Sequence, residues 1–286
     1  MKIKVYRLTS FTDNIEGGNP AGVVLNADNL KEGEMKYIAE EVGYSETAFV
    51  SKSNKADFKV RFFTPVEEVN LCGHATIATF SLLMKKAMIK VGNYTQETKA
   101  GVLGIETNSK EEVMMDQNIP YFSGLLDKKV IADALNISEE EFYDEYPVEM
   151  VSTGLKDIIV PLKSFDKMNF LIPDFKKIAK VCIENDAAGF HIFNLDRNEF
   201  QASCRNFAPH LGINEESATG TASGALASYF VKHNIFKPNT EMIFEQGYKM
   251  KKPSKIKAIV EKENDNYDKV KVGGKAVIID EISLEI

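Results

Sequence analysis

Three polar residues in this chain stand where their neighbours could make them acid–base groups. Glu46 lies in YSETAFV (Tyr44–Val50), between Ser45 and an apolar strand. A carboxylate at the mouth of a buried strand loses hydration, which is expected to raise its pKa toward a useful acid/base value. The same glutamate also reads as a solvated strand-edge charge. His74, one of four histidines, sits between Gly73 and Ala75 at the expected first turn of a helix. A neutral imidazole there can donate to or accept from a bound group, or can be a satisfied structural histidine. Glu216, in NEESATGT (Asn214–Thr221), has two readings as well: an acid/base group, or an acid capping the start of a helix. Thr221 holds the place of His74 in that second motif, as a hydrogen-bond donor or a plain capping hydroxyl.

The two motifs belong to a repeated unit. Val60–Lys85 reads VRFFTPVEEVNLCGHATIATFSLLMK, and Cys204–Lys232 reads CRNFAPHLGINEESATGTASGALASYFVK. Both open on Arg-x-Phe-x-Pro (Arg61, Phe63, Pro65; Arg205, Phe207, Pro209). Both then pass through paired glutamates to a Gly-x-Ala step and end in a small-residue helix. Such self-similarity predicts two copies of one unit, not a solenoid. Each matching loop would open a helix, whose orphan N–H groups and dipole favour a carboxylate or developing enolate. Gly73 and Gly220 would let the backbone approach a ligand closely, or would only tighten the turn.

The elements that must position these residues follow from pattern. Alternation or β-branched content predicts strands over Lys2–Arg7, Gly22–Leu25, Thr47–Ser51, Phe58–Thr64, Val102–Thr107, Gly189–Leu195 and Phe200–Arg205. Helical patterns cover Leu30–Val42, Ala75–Met88, Asp174–Ile183 and Ala222–His233, and the end from Glu241 onward is strand-rich. Few βαβ crossovers are implied, so the expected class is α+β with mostly antiparallel sheets, each around a helix. Asp116–Leu126, with Pro120 and Gly124, is the expected linker, and Gly17–Gly22 reads as a turn without the lysine of a phosphate loop. FEQG (Phe244–Gly247) could bring an amide and a backbone N–H to a cleft.

Composition narrows the function classes. The 286 residues are 44% hydrophobic and 27% charged, as in ordinary globular proteins. A net charge of −7 argues against a nucleic-acid partner. No apolar run reaches the roughly 18 residues of a membrane helix, and the amino terminus lacks a signal-peptide pattern, so no membrane partner and a cytoplasmic location are expected. Three cysteines without CxxC spacing suggest neither a disulfide framework nor a zinc site; their expected state is reduced and buried.

Five pieces in order carry a resemblance over most of the chain: GNPAGV (Gly18–Val23), SETAFV (Ser45–Val50), RFFTPVEEVNLCGHAT (Arg61–Thr76), EESATGTASGAL (Glu215–Leu226) and FEQG. Together they resemble the PhzF-like isomerases of phenazine biosynthesis, which share the diaminopimelate epimerase fold. The resemblance implies two pseudo-symmetric halves, each a barrel-like sheet around a central helix, with the active site in the cleft between them. The halves would be residues 1–118, completed by the last strand at 278–286, and residues 119–277. A homodimer is implied, with no metal or organic cofactor and a small, cyclic or amino-bearing carboxylic acid as substrate. Glu46 would take and return a proton, assisted by His74 and Glu216. Asn19, Ser45, Gly73, Thr219, Gly220, Thr221, Gln246 and Gly247 would contact the substrate.

The second loop departs from the family's usual Asp-Pro-Ala-Thr-Gly-Ser, having Glu216-Ser217-Ala218-Thr219-Gly220-Thr221 instead. One added methylene and one added methyl can reshape a pocket enough to change substrate choice. The related epimerases use two cysteine bases, and the repeat places those positions near Ala78 and on Thr219; Cys72 reads as a buried small hydrophobe. Two other functions remain open: a racemase or epimerase with a non-cysteine base pair such as Glu46 and Glu216, and a non-catalytic small-molecule sensor on the same fold.

Overall fold

Alternation at the amino terminus becomes β1 (Lys2–Ser10), and the chain returns as β2 (Asn19–Val24), so only the start of the glycine-rich stretch is a turn. The computed structural model describes residues 1–197, 199–264 and 266–286. Next come α1 (Glu32–Val42), β3 (Thr47–Ser51), β4 (Phe58–Phe63), β5 (Glu68–Val69) and α2 (Gly73–Lys85). β6 (Gly92–Thr98), β7 (Gly101–Thr107), β8 (Val113–Gln117), β9 (Tyr121–Leu126) and α3 (Lys128–Leu135) follow. The chain continues through β10 (Val148–Ser152), β11 (Lys156–Pro161), α4 (Phe165–Phe170), α5 (Phe175–Glu184), β12 (Gly189–Asn194) and β13 (Ala202–Ala208). Last are β14 (Ile213–Glu216), α6 (Gly220–Lys232), β15 (Met242–Gln246), β16 (Ser254–Glu263), β17 (Asn266–Gly274) and β18 (Ala276–Glu285).

Two compact units result: Met1–Asp116 with Gly273–Ile286, and Gln117–Val272. In the first, β1 pairs antiparallel with β2 and β18, β2 runs parallel to β3, β3 antiparallel to β4, and β4 parallel to β6. In the second, β10 pairs antiparallel with β9 and β11, β11 runs parallel to β12, β12 antiparallel to β13, and β13 parallel to β15. The same alternation of neighbours recurs, and the class is α+β with mostly antiparallel, barrel-like sheets.

Each sheet holds one helix that is buried on nearly all sides. α2 lies against β1, β2, β3 and β18, and α6 against β10, β11 and β16. Ten of the 13 residues of α2 and eleven of the 13 of α6 are buried. Buried hydroxyls need partners, and four of those on these helices turn back onto their own backbone. Thr76 and Thr79 donate to the Cys72 and Ala75 carbonyls at 2.8 and 2.7 Å; Ser223 and Ser228 donate to Thr219 and Gly224 at 2.9 and 2.8 Å. Outer helices are amphipathic instead. α1 buries Met35, Ile38, Ala39 and Val42, the i, i+3, i+4, i+7 spacing of one face.

The repeated Arg-x-Phe becomes the same device in both units. Arg61 forks onto Glu68 at 2.7 and 2.8 Å, and Arg205 onto Glu215 at 2.8 and 2.9 Å. Each guanidinium lies over the following phenylalanine, 5.0 Å from the Phe63 ring and 4.8 Å from the Phe207 ring. The fork ties β4 to β5 and β13 to β14, the strands that lead into α2 and α6.

A second expected element is different. The stretch expected as a linker is largely strand: β9 pairs with β10, and Gly124 (φ +140°) sits where the register slips between Met150 and Val151. Its Pro and Gly mark an irregular strand, not a flexible connection.

Candidate functional site

Within the first unit, five of the expected residues meet. Gly18 has φ +78°, and a Cβ there would lie 2.3 Å from the Ser10 carbonyl oxygen, so only glycine makes this turn and delivers Asn19 to the start of β2. The Gly22 N–H donates to the Glu46 carbonyl at 3.1 Å, holding the residue just before β3. Ser10 Oγ donates to the His74 carbonyl at 2.7 Å and fixes the first turn of α2.

The side chains then converge. His74 Nε2 lies 3.1 Å from Glu46 Oε2 and 3.5 Å from Ser45 Oγ; its Nδ1 lies 3.4 Å from both Asn19 Nδ2 and Cys72 Sγ. The imidazole is 7% exposed and the Glu46 side chain 17%, so the pair is largely out of water yet open on the carboxylate side.

Charge coupling reverses the pKa direction expected for Glu46. Burial pushes its carboxyl up, but the His74 hydrogen bond and charge, helped by Ser45 and Cys72, hold it below the ordinary value of 4.5. Burial alone would keep His74 neutral, yet the adjacent Cys72 sulfur and Glu46 carboxylate lift it well above 6.5. Cys72 is pushed up by burial and by the Glu46 charge, against the pull of His74. Glu46 is therefore an ionised base in a nearly dry site.

Gly73 opens α2, and a Cβ built there would meet only Met115 Cε at 3.6 Å. That is an ordinary van der Waals contact, so no packing among the described residues demands glycine at this place.

Within the second unit the loop before α6 is self-contained. Thr219 Oγ1 donates to Glu216 Oε2 at 2.5 Å, and its N–H donates to Gln246 Oε1 at 3.1 Å. Gln246 Nε2 donates to the Glu216 carbonyl at 2.8 Å and to Thr219 Oγ1 at 3.0 Å. Gln246 is fully buried and its amide is occupied by the loop, so it shapes the loop instead of offering a donor. Gly247 has φ +79°, and a Cβ there would lie 2.3 Å from the Lys252 carbonyl oxygen, so the turn after β15 requires glycine. Gly220 opens α6, and Thr153 Oγ1 donates to the Thr221 carbonyl at 3.1 Å, the counterpart of the Ser10–His74 bond.

Strand pairing aligns the two units residue by residue. Thr47 faces Phe63 and Phe190 faces Phe207, so the place of Glu46 is taken by Gly189 in the second copy. A Cβ at Gly189 would lie 2.5 Å from the Phe207 carbonyl oxygen, so no carboxylate fits there. The helix starts align Cys72 with Thr219, each the residue before its helix. The residue of the first unit that matches Thr219 is thus Cys72, not one near Ala78. The sequence carried that signal in Cys72-Gly73 against Thr219-Gly220; Ser10 left none.

Behind the second loop is a buried polar group that sequence reasoning missed. Burial pushes Asp157 from 3.8 to about 8, against the pull of Asn206 and with a further push from the Glu216 charge. The folded protein keeps a proton there that the unfolded chain releases above about 4. This contribution to stability is complete below that pH and is lost as pH rises toward 8. Asp157→Asn should remove the slope: urea unfolding should show the variant gaining on wild type from pH 5 to pH 8, by a few kcal/mol at the top at about 1.4 per pKa unit. A wild-type slope retained in Asp157→Asn would place the proton elsewhere.

Comparison with known proteins identifies the lineage. The family model described as phenazine biosynthesis-like protein (PhzC-PhzF) matches residues 8–281. The chain belongs to the PhzC-PhzF family. This family member is 38% identical to the uncharacterized isomerase YfhB of Bacillus subtilis, over 96% of each chain. It is 30% identical to the trans-2,3-dihydro-3-hydroxyanthranilate isomerase of Pseudomonas fluorescens, over 91% of each. The crystal structure of a Bacillus anthracis PhzF-family protein matches it with a TM-score of 0.92 at 32% identity, covering 100% of both chains. This PhzF-family chain is an isomerase. No helix among its described residues is long and apolar enough to cross a membrane.

Proposed function

We propose that this isomerase shifts a proton between two positions of a small, cyclic or amino-bearing carboxylic acid, with Glu46 taking and returning it. One observation carries the reading: a carboxylate largely removed from water, Glu46, held 3.1 Å from His74 Nε2 beside the start of α2. The Glu46 carboxylate removes a proton from carbon, and the electron pair moves into the conjugated system as an enolate. The α2 N–H groups and His74 favour that negative charge, and Glu46 then delivers the proton to the new carbon. The absence of a carboxylate at Gly189, the equivalent place in the second copy, agrees with a single base. Ser45 and Asn19 orient His74, and Glu216, Thr219, Gly220 and Thr221 enter the proposal through the loop they build. The substrate class draws on the hydroxyanthranilate isomerase relative; the homodimer implied by the motifs belongs to the same proposal.

The test is solvent-deuterium incorporation, followed by proton NMR, across a panel of cyclic amino and hydroxy acids. Incorporation coupled to isomerisation is expected for at least one carboxylic acid. Product formed without any solvent deuterium, under conditions where the bound proton exchanges, would point to a different route.

Gly73→Ala separates packing from function. Alanine is the better helix former by about 1 kcal/mol, so the melting temperature should hold or rise slightly. kcat/KM for the acid found in the screen should fall tenfold or more, because the added methyl occupies the approach to the helix start. Unchanged turnover would show that no substrate passes there.

A further inference from the structure

Four of the large apolar side chains that the second unit leaves exposed share one place. Tyr121 on β9, Leu155 between β10 and β11, Ile183 on α5 and Leu211 before β14 are each more than half exposed. All four line one cavity of about 660 Å³ whose walls belong entirely to this unit. That volume falls within the range of small-molecule sites, about 300–1,000 Å³. Exposed apolar side chains gathered in one patch with a polar rim mark a binding surface. Two opposite charges stand in the same wall, with Lys156 Nζ 3.1 Å from Asp186 Oδ2. The Asp186 side chain is fully exposed, so this ion pair contributes little to stability and can exchange partners.

The repeat shows what this corner has given up. By strand register Leu155 holds the place of Asn19 and Ala188 that of Ser45, and both line the cavity. Polar groups that stand beside His74 in the first unit are replaced here by hydrocarbon, which suits binding and not proton transfer. We infer that this cavity binds an apolar α-amino acid as its zwitterion, at a site that shares no residue with the Glu46–His74 corner. The ligand's carboxylate takes Lys156, its ammonium takes Asp186, and its side chain lies against Tyr121, Leu155, Ile183 and Leu211. Spacing agrees as well as sign. The nitrogen and nearer carboxylate oxygen of an α-amino acid are roughly 3 Å apart, close to the 3.1 Å between the protein's two charges. A carboxylic acid without the amine leaves Asp186 facing a like charge, and an amine without the carboxylate does the same to Lys156. The zwitterion satisfies both.

The test needs no isomerase substrate, so its failure leaves that reading untouched. Full-length protein is titrated calorimetrically with L-phenylalanine and L-leucine, and with phenylpropionate and phenethylamine, which each lack one charge. One equivalent of at least one amino acid should bind, and the probes lacking a charge should bind at least tenfold more weakly, having lost a charge-assisted contact. Lys156→Met and Asp186→Asn should each raise the Kd tenfold or more, and Ile183→Asp should abolish binding. Asp186 and Ile183 are exposed, so their variants keep the fold and serve if Lys156→Met does not. Glu46→Gln should leave the Kd unchanged. A Kd that rises in Glu46→Gln and not in Asp186→Asn would place the amino acid in the catalytic corner and overturn the cavity site. So would no binding of either amino acid at millimolar concentration, or phenylpropionate binding as tightly as L-phenylalanine.

Discussion

Glu46→Gln is expected to lower kcat by about 10³-fold, the typical contribution of a positioned general acid–base group, while the fold survives. Glutamine matches the carboxylate in size and keeps a contact to His74, so the melting temperature should move little. The variant also removes one of the two groups that lift His74, and an NMR titration should show the imidazole pKa lower than in wild type. In wild type, the acid limb of kcat/KM should lie below 4.5, because the folded pKa of Glu46 is depressed and the base is lost only on its protonation. Wild-type exchange surviving in Glu46→Gln would assign the proton transfer to another group. An acid limb near neutrality would contradict an ionised resting state.

The largest effect on stability is expected at Arg205. This guanidinium is 5% exposed and donates to both oxygens of Glu215 and, through its remaining nitrogen, to the Met168 and Leu171 carbonyls at 2.8 and 3.2 Å. Arg205→Ala strands a carboxylate and two carbonyls in a desolvated place, where removing one partner of a buried pair costs about 3–5 kcal/mol. Thermal unfolding should shift down by on the order of 10 °C for a chain of this size. Arg61→Ala, at the matching position, should cost less than half as much, since Arg61 is 24% exposed and one of its partners, Glu32, is 71% exposed. Replacing both partners, as in Arg205→Met with Glu215→Leu, should recover the part of the loss due to the stranded carboxylate, while the Met168 and Leu171 carbonyls stay without their donor. Equal losses at the two arginines would show that the repeat, not burial, sets their weight.

Much of this was legible because the informative signals are local. Arg-x-Phe-x-Pro, the paired glutamates and the Gly-x-Ala step each lie within one short segment, and their recurrence exposed the duplication. The amphipathic period of Glu32–Val42 and the small-residue runs of α2 and α6 likewise marked helices whose ends moved by only a few residues. β11 was passed over because its run Asp157–Pro161 is buried throughout and so has no alternation to read.

What tertiary structure alone decided is how distant side chains share an environment. Glu46 and Asn19 lie on different segments from the Cys72–His74 pair, and only β2, β3 and the first turn of α2 bring them within hydrogen-bond reach. That contact turns the Glu46 pKa downward, where burial considered alone pointed up, because a neighbouring cation in a nearly dry site outweighs the lost hydration. Asp157 is the opposite case: with no cation beside it, burial prevails and it keeps its proton. The sequence determined which residues were available for acid–base work, through motif and repeat. Their charge states depend on distances of a few ångströms across the fold, which no local pattern encodes.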